Sequence, residues 1–164
     1  MGRKTREMIE KAGVSVDELI SMLKKAYADE WIAYYYYNIL AYLAKGPESP
    51  EIVDRIKKTA GQELEHQKEL AERIIQLEGE PPKRFEELVK IANCPYVEIP
   101  SDLGDSKAIA KALMDAEGCA IAAYRSILDW LMSIGKDPTT FHIIRHILQE
   151  EEEHEDEFQT ILGI

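Results

Sequence analysis

Cysteine is scarce: two in 164 residues cannot build a disulfide framework. Long apolar runs are missing, and none approaches the roughly 18 residues of a membrane-spanning helix. The basic residues Arg3, Lys4 and Arg6 are not followed by an apolar stretch, so they do not read as a secretory signal. Positive charge is in deficit, with 20 Lys and Arg against 31 Asp and Glu and a net charge of −11. Such a body repels phosphate backbones and anionic lipid, which argues against nucleic-acid and membrane partners. Low-complexity segments and the alternating pattern of strands are lacking too. What remains is 45% hydrophobic and 31% charged, the balance of an ordinary soluble domain expected in the cytoplasm. The length suffices for one core that buries roughly 70% of the unfolded surface.

Helix signals fill the chain. Ser15-Val16-Asp17-Glu18 is a capping box, and Leu19, Leu23, Ala26 and Tyr27 follow at helical spacing. The spacing predicts a first long helix from Ser15 to about Lys45, stopped by Gly46-Pro47. Ser49-Pro50 reads as a cap followed by proline, opening a second helix to about Glu78, with Gly79 as its stop. A third helix is expected from Asp105-Ser106 to Ile134, ended by Gly135. Asp137-Pro138 repeats the cap-and-proline device for a fourth helix to Leu162, closed by Gly163. Between the second and third, Lys83–Ala92 reads as a short amphipathic helix, and Asn93-Cys94-Pro95 ends it. The expected fold is all-α: an N-terminal tail over 1–14, then over 15–164 a four-helix bundle with an extra helix in its long crossover.

The inward faces of these helices break the apolar rule. The first carries Leu23, Tyr27, Glu30, Tyr34 and Tyr37, and the second Ile56, Thr59, Glu63, His66, Leu70 and Ile74. The third carries Met114, Glu117, Ile121, Tyr124 and Leu128, and the fourth Ile147, Glu151, His154, Phe158 and Ile161. The halves repeat: Glu30 precedes a Glu63-x-x-His66 pair much as Glu117 precedes Glu151-x-x-His154. Tyr37 follows Glu30, and Tyr124 follows Glu117, at one heptad. Glu and His at i, i+3 share a helix face and can reach one cation. Four buried carboxylates need counter-charge, and two divalent metals supply it. One Glu from each of two helices with Glu-x-x-His from the others is the ligand set of di-iron and di-manganese carboxylate bundles.

Other readings of single residues stay open at this point. With four histidines and 22 glutamates, one Glu-x-x-His pair could arise by chance; the matching single glutamates are what raise the signal. Glu150 would replace Glu151 if the fourth helix were rotated, and Glu65 is the equivalent alternative on the second. Cys94 and Cys119 read equally as two small buried hydrophobes or as a redox pair. His142 and His146, at i, i+4, could hold an accessory ion or simply be solvated. Arg3, Lys4 and Arg6 could form a DNA-binding arm, which Glu7, Glu10 and the acidic background oppose.

The ligand pattern resembles the ferritin-like superfamily with bacterioferritin-type ligands, from Ser15 onward. Bacterioferritin carries a fifth short helix, whereas only ten residues follow His154 here, so that helix is not expected. The chain also has Leu64 where bacterioferritin places a haem-ligating methionine after the second-helix glutamate, so no haem is expected. The helix in the crossover is similar instead to Dps, the small dodecameric ferritins. With its cysteine pair, the chain resembles the Dps-like thioferritins, in which two cysteines lie close to the metal site. That resemblance implies a pair, Cys94 and Cys119, able to form a disulfide.

It also implies an activity. Two iron ions per subunit would be held by Glu30, Glu63, His66, Glu117, Glu151 and His154, with Glu63 and Glu151 bridging; manganese would fit the same ligands. Apart from the resemblance, the four consecutive tyrosines Tyr34 to Tyr37 read mostly as core or interface residues, with Tyr37 and Tyr124 placed to hydrogen-bond ligands or supply electrons. The implied protein is a ferroxidase and iron store, oxidising Fe(II) with hydrogen peroxide or, more slowly, dioxygen inside a homo-oligomeric, dodecameric cage. A rubrerythrin-like peroxidase without a mineral, and a manganese catalase, are the alternatives; the former lacks here a four-cysteine donor segment. A nucleoid-binding shell is a further one, opposed by the acidity.

Overall fold

The computed structural model describes residues 3–47, 49–134 and 137–164, so the expected stop at Gly135 lies outside the described residues. Six helices follow one another: α1 Arg3–Lys11, α2 Val16–Leu43, α3 Ser49–Gln76, α4 Phe85–Ile91, α5 Ser106–Ile134 and α6 Pro138–Leu162. No strand occurs among the described residues. α2, α3, α5 and α6 form the bundle, α2 pairing mainly with α3 and α5 with α6.

Local chemistry sets the helix ends. The Ser15 hydroxyl accepts from the Glu18 N–H, and Asp137 accepts from Thr140 N–H with Pro138 in the first turn of α6. Gly163 closes α6 in the left-handed conformation, at φ 75°. Two ends differ from expectation. Ser49 lies inside α3 and its hydroxyl donates to the Gly46 carbonyl at 2.7 Å. After α3 it is Glu78, at φ 62°, that takes the left-handed turn. Gly79 is needed there for space: a Cβ would stand 2.9 Å from a methyl of Ile20.

The expected N-terminal tail is largely helical. α1 buries Ile9, and Arg6 ties it down through Asp17 and the Leu77 carbonyl, besides pairing with Glu10 within the helix. A nine-residue helix is too short to announce itself by period and forms because α2 and the end of α3 hold it.

The long connection travels the length of α2. It begins with Gly79 against Ile20 and ends with Leu103, whose carbonyl accepts from Lys45 N–H at 2.8 Å. α5 therefore starts at the end of the bundle where α3 starts, so the halves α2–α3 and α5–α6 are related by a pseudo-two-fold rather than by a simple meander.

Two apolar clusters fill the interior. One contains Leu23, Ala26, Leu70, Ile74, Ile127 and Ile147, and the other Leu40, Ile56, Ala60, Leu113 and Phe158. On every bundle helix the polar residues lie between the two. A polar layer thus cuts the core at mid-length, flanked by greasy ends that carry the stability.

Candidate metal centre

Six side chains from the four bundle helices make that layer: Glu30 on α2, Glu63 and His66 on α3, Glu117 on α5, Glu151 and His154 on α6. Each is at most 2% exposed. They form two overlapping groups able to hold a metal ion, Glu30-Glu63-His66-Glu151 and Glu63-Glu117-Glu151-His154.

The distances show how the groups share residues. His66 Nδ1 lies 3.4 Å from Glu30 Oε2, 3.6 Å from Glu63 Oε2 and 3.0 Å from Glu151 Oε1. His154 Nδ1 lies 3.4 Å from Glu63 Oε1, 3.7 Å from Glu117 Oε1 and 3.8 Å from Glu151 Oε2. Glu63 and Glu151 each turn one oxygen to each histidine, whereas Glu30 serves His66 alone and Glu117 serves His154 alone. Tyrosines from the opposite half pin these outer carboxylates: Tyr37 donates to Glu117 Oε1 and Tyr124 to Glu30 Oε1.

Among the described residues no Lys or Arg pairs with the carboxylates of this layer. Six buried side-chain polar atoms among the described residues have no hydrogen-bond partner, and five belong here: Glu30 Oε2, Glu63 Oε1, His66 Nδ1, Glu151 Oε1 and His154 Nδ1. Burial, then the carboxylates of Glu151 and Glu30, push the Glu63 carboxyl well above its ordinary range. Burial, then Glu151 and Glu63, raise Glu117 in the same way. Burial also opposes the charge of Glu151, but His154 and His66 outweigh it and draw that carboxyl below the ordinary range. Burial disfavours a charged His66, yet Glu151, Glu30 and Glu63 together hold its proton far above the usual imidazole range. Burial and the facing carboxylates keep Tyr37 and Tyr124 as neutral phenols, fit to donate. Hard oxygens with imidazole nitrogens, orphaned and facing one another, fit a pair of divalent first-row cations.

The alternatives on α3 and α6 separate cleanly. Glu65 points outward, 64% exposed, and pairs with Lys68 at 3.1 Å. Glu150 stays out of the layer but touches it: its Oε2 lies 2.7 Å from His66 Nε2. Gln62 Oε1 stands 3.2 Å from His154 Nε2.

Cys94 and Cys119 are joined in a disulfide, with Cα atoms 5.9 Å apart. It fastens the crossover to α5 two residues past Glu117. Asp29, which sequence reading does not single out, fastens the same segment to α2. Its carboxylate accepts from the Asn93 side chain at 2.7 Å and from Cys94 N–H at 2.9 Å. Burial raises this acid to about 6 against the pull of those two donors. The available signal was a second acid beside Glu30, but its partners are remote in sequence. A cavity of about 100 Å3 lies beneath the disulfide, lined by Ile32, Ala33, Val97 and Ala120 and floored by Glu63 and Glu151.

The remaining candidates lie elsewhere. His142 and His146 join no cluster of metal-ligating groups among the described residues; His146 is 42% exposed, 3.8 Å from Glu69. Arg3 pairs with Glu7, and Arg6 is occupied as above. Tyr34 is only partly buried, and the fully enclosed neighbours are Tyr36 and Tyr37. Among the described residues no helix is long and apolar enough to cross a membrane.

An all-α bundle whose interior is cut by a carboxylate–histidine layer is the architecture of ferritin-like proteins, and the family model described as a ferritin-like domain matches residues 20–164. The chain belongs to that family. It is 35% identical over 162 residues to the DNA protection during starvation protein of Pyrococcus furiosus, covering 99% of this chain and 86% of that one. Its structure is similar to that of the dodecameric thioferritin, a bacterioferritin-related protein, from Bacteroides fragilis. There the TM-score is 0.90 at 33% identity, over 98% of this chain and 93% of that one. Dps from Thermosynechococcus elongatus shares the fold, with a TM-score of 0.81 at 18% identity over 89% and 90%. The two cysteines and the crossover helix thus sit in a Dps-type, thioferritin-like member of the family.

Proposed function

We propose that this chain is a ferroxidase that takes Fe(II) as substrate, oxidises it in pairs with hydrogen peroxide, or more slowly with dioxygen, and stores the Fe(III) in a dodecameric cage. The observation that carries this reading is the divided orientation of Glu63 and Glu151, one oxygen toward each histidine. That arrangement suits two ions side by side rather than one. Glu30 with His66, and Glu117 with His154, complete equivalent half-sites. Four carboxylates against two divalent ions would neutralise a layer that otherwise holds protons.

Two Fe(II) each give one electron to one peroxide, which takes up two protons and leaves as two waters. Delivering both electrons from one site avoids releasing hydroxyl radical, and this is the protective part of the function. The protein's own residues bind and orient. The tyrosines hold the outer carboxylates, and imidazole with carboxylate suits a metal that changes oxidation state. The cavity beside the disulfide, about 100 Å3 and lined in part by Glu63 and Glu151, has the volume for a diatomic or peroxide molecule.

Similarity to the Bacteroides fragilis thioferritin, described as dodecameric, supports the cage. So do Phe85 and Val89, which share the outer face of α4 and are 59% and 62% exposed, an apolar surface suited to contact with another subunit. The net charge of −11 and the pairing of Arg3 and Arg6 with carboxylates support a cage that acts without DNA.

The test is an anaerobic Fe(II) titration followed by a peroxide pulse, with a spin trap present. The reading expects two Fe(II) per chain, one peroxide consumed per two Fe(II), and a radical adduct far below that of free Fe(II). One Fe(II) per chain, or a radical yield equal to free Fe(II), would refute it.

A further inference from the structure

The pseudo-two-fold that relates the two halves is obeyed by every residue of the polar layer. Glu30 answers Glu117, Glu63 answers Glu151, His66 answers His154, and Tyr124 on Glu30 answers Tyr37 on Glu117. It is broken immediately outside that layer. The residue before each divided glutamate reaches across to the outer nitrogen of the other helix's histidine. On α6 that residue is Glu150, 2.7 Å from His66 Nε2; on α3 it is Gln62, 3.2 Å from His154 Nε2. One imidazole leans on a carboxylate and the other on a neutral amide.

Both histidines turn Nδ1 toward the carboxylates, so a metal bound at Nδ1 leaves Nε2 as the N–H donor. An N–H donated to a carboxylate forms a charge-assisted bond, about twice as strong as one to a neutral amide. It shifts electron density into the ring and makes Nδ1 a better donor to a cation. Glu150 also adds a negative charge on the far side of His66, while Gln62 adds none beside His154. Its side chain is 26% exposed, so water screens part of that effect. The six ligands and the two tyrosines are matched; outside them the halves differ at Glu150 and Gln62 and at Asp29, which stands beside Glu30 where Ala116 stands beside Glu117.

We propose that Glu150 and Gln62 are positioning residues that make the two half-sites unequal, so that the His66 half binds a divalent metal first and more tightly. This rests on the reading of the layer as a two-metal site and deepens it, from two equivalent ions to an ordered pair. Replacing an outer-shell partner of a ligating histidine costs about 10- to 100-fold in affinity, and partial exposure places the expected difference near the lower end.

The experiment titrates the metal-free, full-length protein anaerobically with Co(II), reading bound metal by equilibrium dialysis and the visible absorption of each step. Wild type should bind two Co(II), the first about 10-fold tighter. His66→Ala should lose the tight step and His154→Ala the weak one. Glu150→Gln should weaken the first step until the two merge, and Gln62→Glu should strengthen the second until they merge. The double swap should restore two steps with the opposite assignment. A merely structural role would weaken both steps alike, so equal losses in Glu150→Gln, or a double swap in which His66→Ala still removes the tight step, would overturn the proposal. Binding of fewer than two Co(II) by wild type, or histidine variants that lose neither step, would instead sink the two-metal reading itself.

Discussion

Glu63 and Glu151 face each other across the bundle with the same division of labour: each points one carboxylate oxygen at His66 and the other at His154. Removing either should therefore damage both half-sites at once. Glu63→Ala should fold, since the apolar clusters on either side are untouched, and should oxidise Fe(II) at least about 100-fold more slowly. Glu30→Ala should spare one half and keep one Fe(II) per chain. Stopped-flow oxidation with metal counts on both variants checks this; a Glu63→Ala protein at the wild-type rate would remove Glu63 from the site.

The same layer makes metal-free stability depend on pH. The Glu63 and Glu117 carboxyls are raised by burial and by their neighbours, so the folded state keeps protons that the unfolded chain releases above roughly pH 4. Their contribution is full below that point and is lost as pH rises. Against its burial, the proton held on His66 by Glu151, Glu30 and Glu63 acts in the same direction above its ordinary value. Glu151, lowered, opposes this only at strongly acid pH. The metal-free protein should thus melt progressively lower from pH 6 to 9, while added Co(II), which replaces the protons, should raise Tm more at pH 8 than at pH 6. Melting scans across that range check it, and a metal-induced shift that shrinks as pH rises would contradict it.

The Cys94–Cys119 disulfide closes a loop of 25 residues and anchors the crossover beside Glu117. Its loss in Cys119→Ser should cost about 3 kcal/mol through loop entropy. Reductant should shift wild type to the same melting temperature and leave Cys119→Ser unchanged. Thiol titration under denaturing conditions, before and after reduction, gives the matching count of none and two.

Arg73 on α3 and Asp137 at the cap of α6 form a buried pair, each 2% exposed, with two bonds at 3.0 and 2.9 Å. Arg73→Ala strands the Asp137 charge and should cost about 3–5 kcal/mol in a denaturant titration. Arg73→Met with Asp137→Asn, which keeps the cap without the charge, should cost less. Neither change should alter how many metal ions bind, because the pair lies away from the polar layer.

The cage is tested by mass. Twelve copies of the 18.7 kDa chain weigh about 224 kDa. Light scattering should report that value at neutral pH. A stable dimer would leave no enclosed space for a mineral and would favour a peroxidase without storage.

Much of this was legible in the chain. Ser15, Asp137-Pro138 and Gly163 mark helix ends by local chemistry that survives in the fold. The acids on otherwise apolar stripes led to Glu30, Glu63, Glu117 and Glu151 because burial of charge contradicts a simple core. What stayed hidden depends on partners distant in sequence. Whether Glu150 or Glu151 faces inward is a question of helix rotation, settled by packing of Ile147 and Phe158 into the two clusters. Asp29 gains its role from Asn93 and Cys94, and Gln62 from His154, none of which periodicity can join. α1 has one buried anchor, Ile9, and follows from tertiary contacts rather than from pattern.

Whether Glu63 and Glu151 bridge a pair of metal ions can be seen most directly by anomalous diffraction from crystals soaked anaerobically in Fe(II). Two iron peaks are expected in each subunit, about 3.5–4 Å apart, one beside His66 and one beside His154. A single peak, or iron found only at exposed sites such as His142 and His146, would contradict the bridged pair.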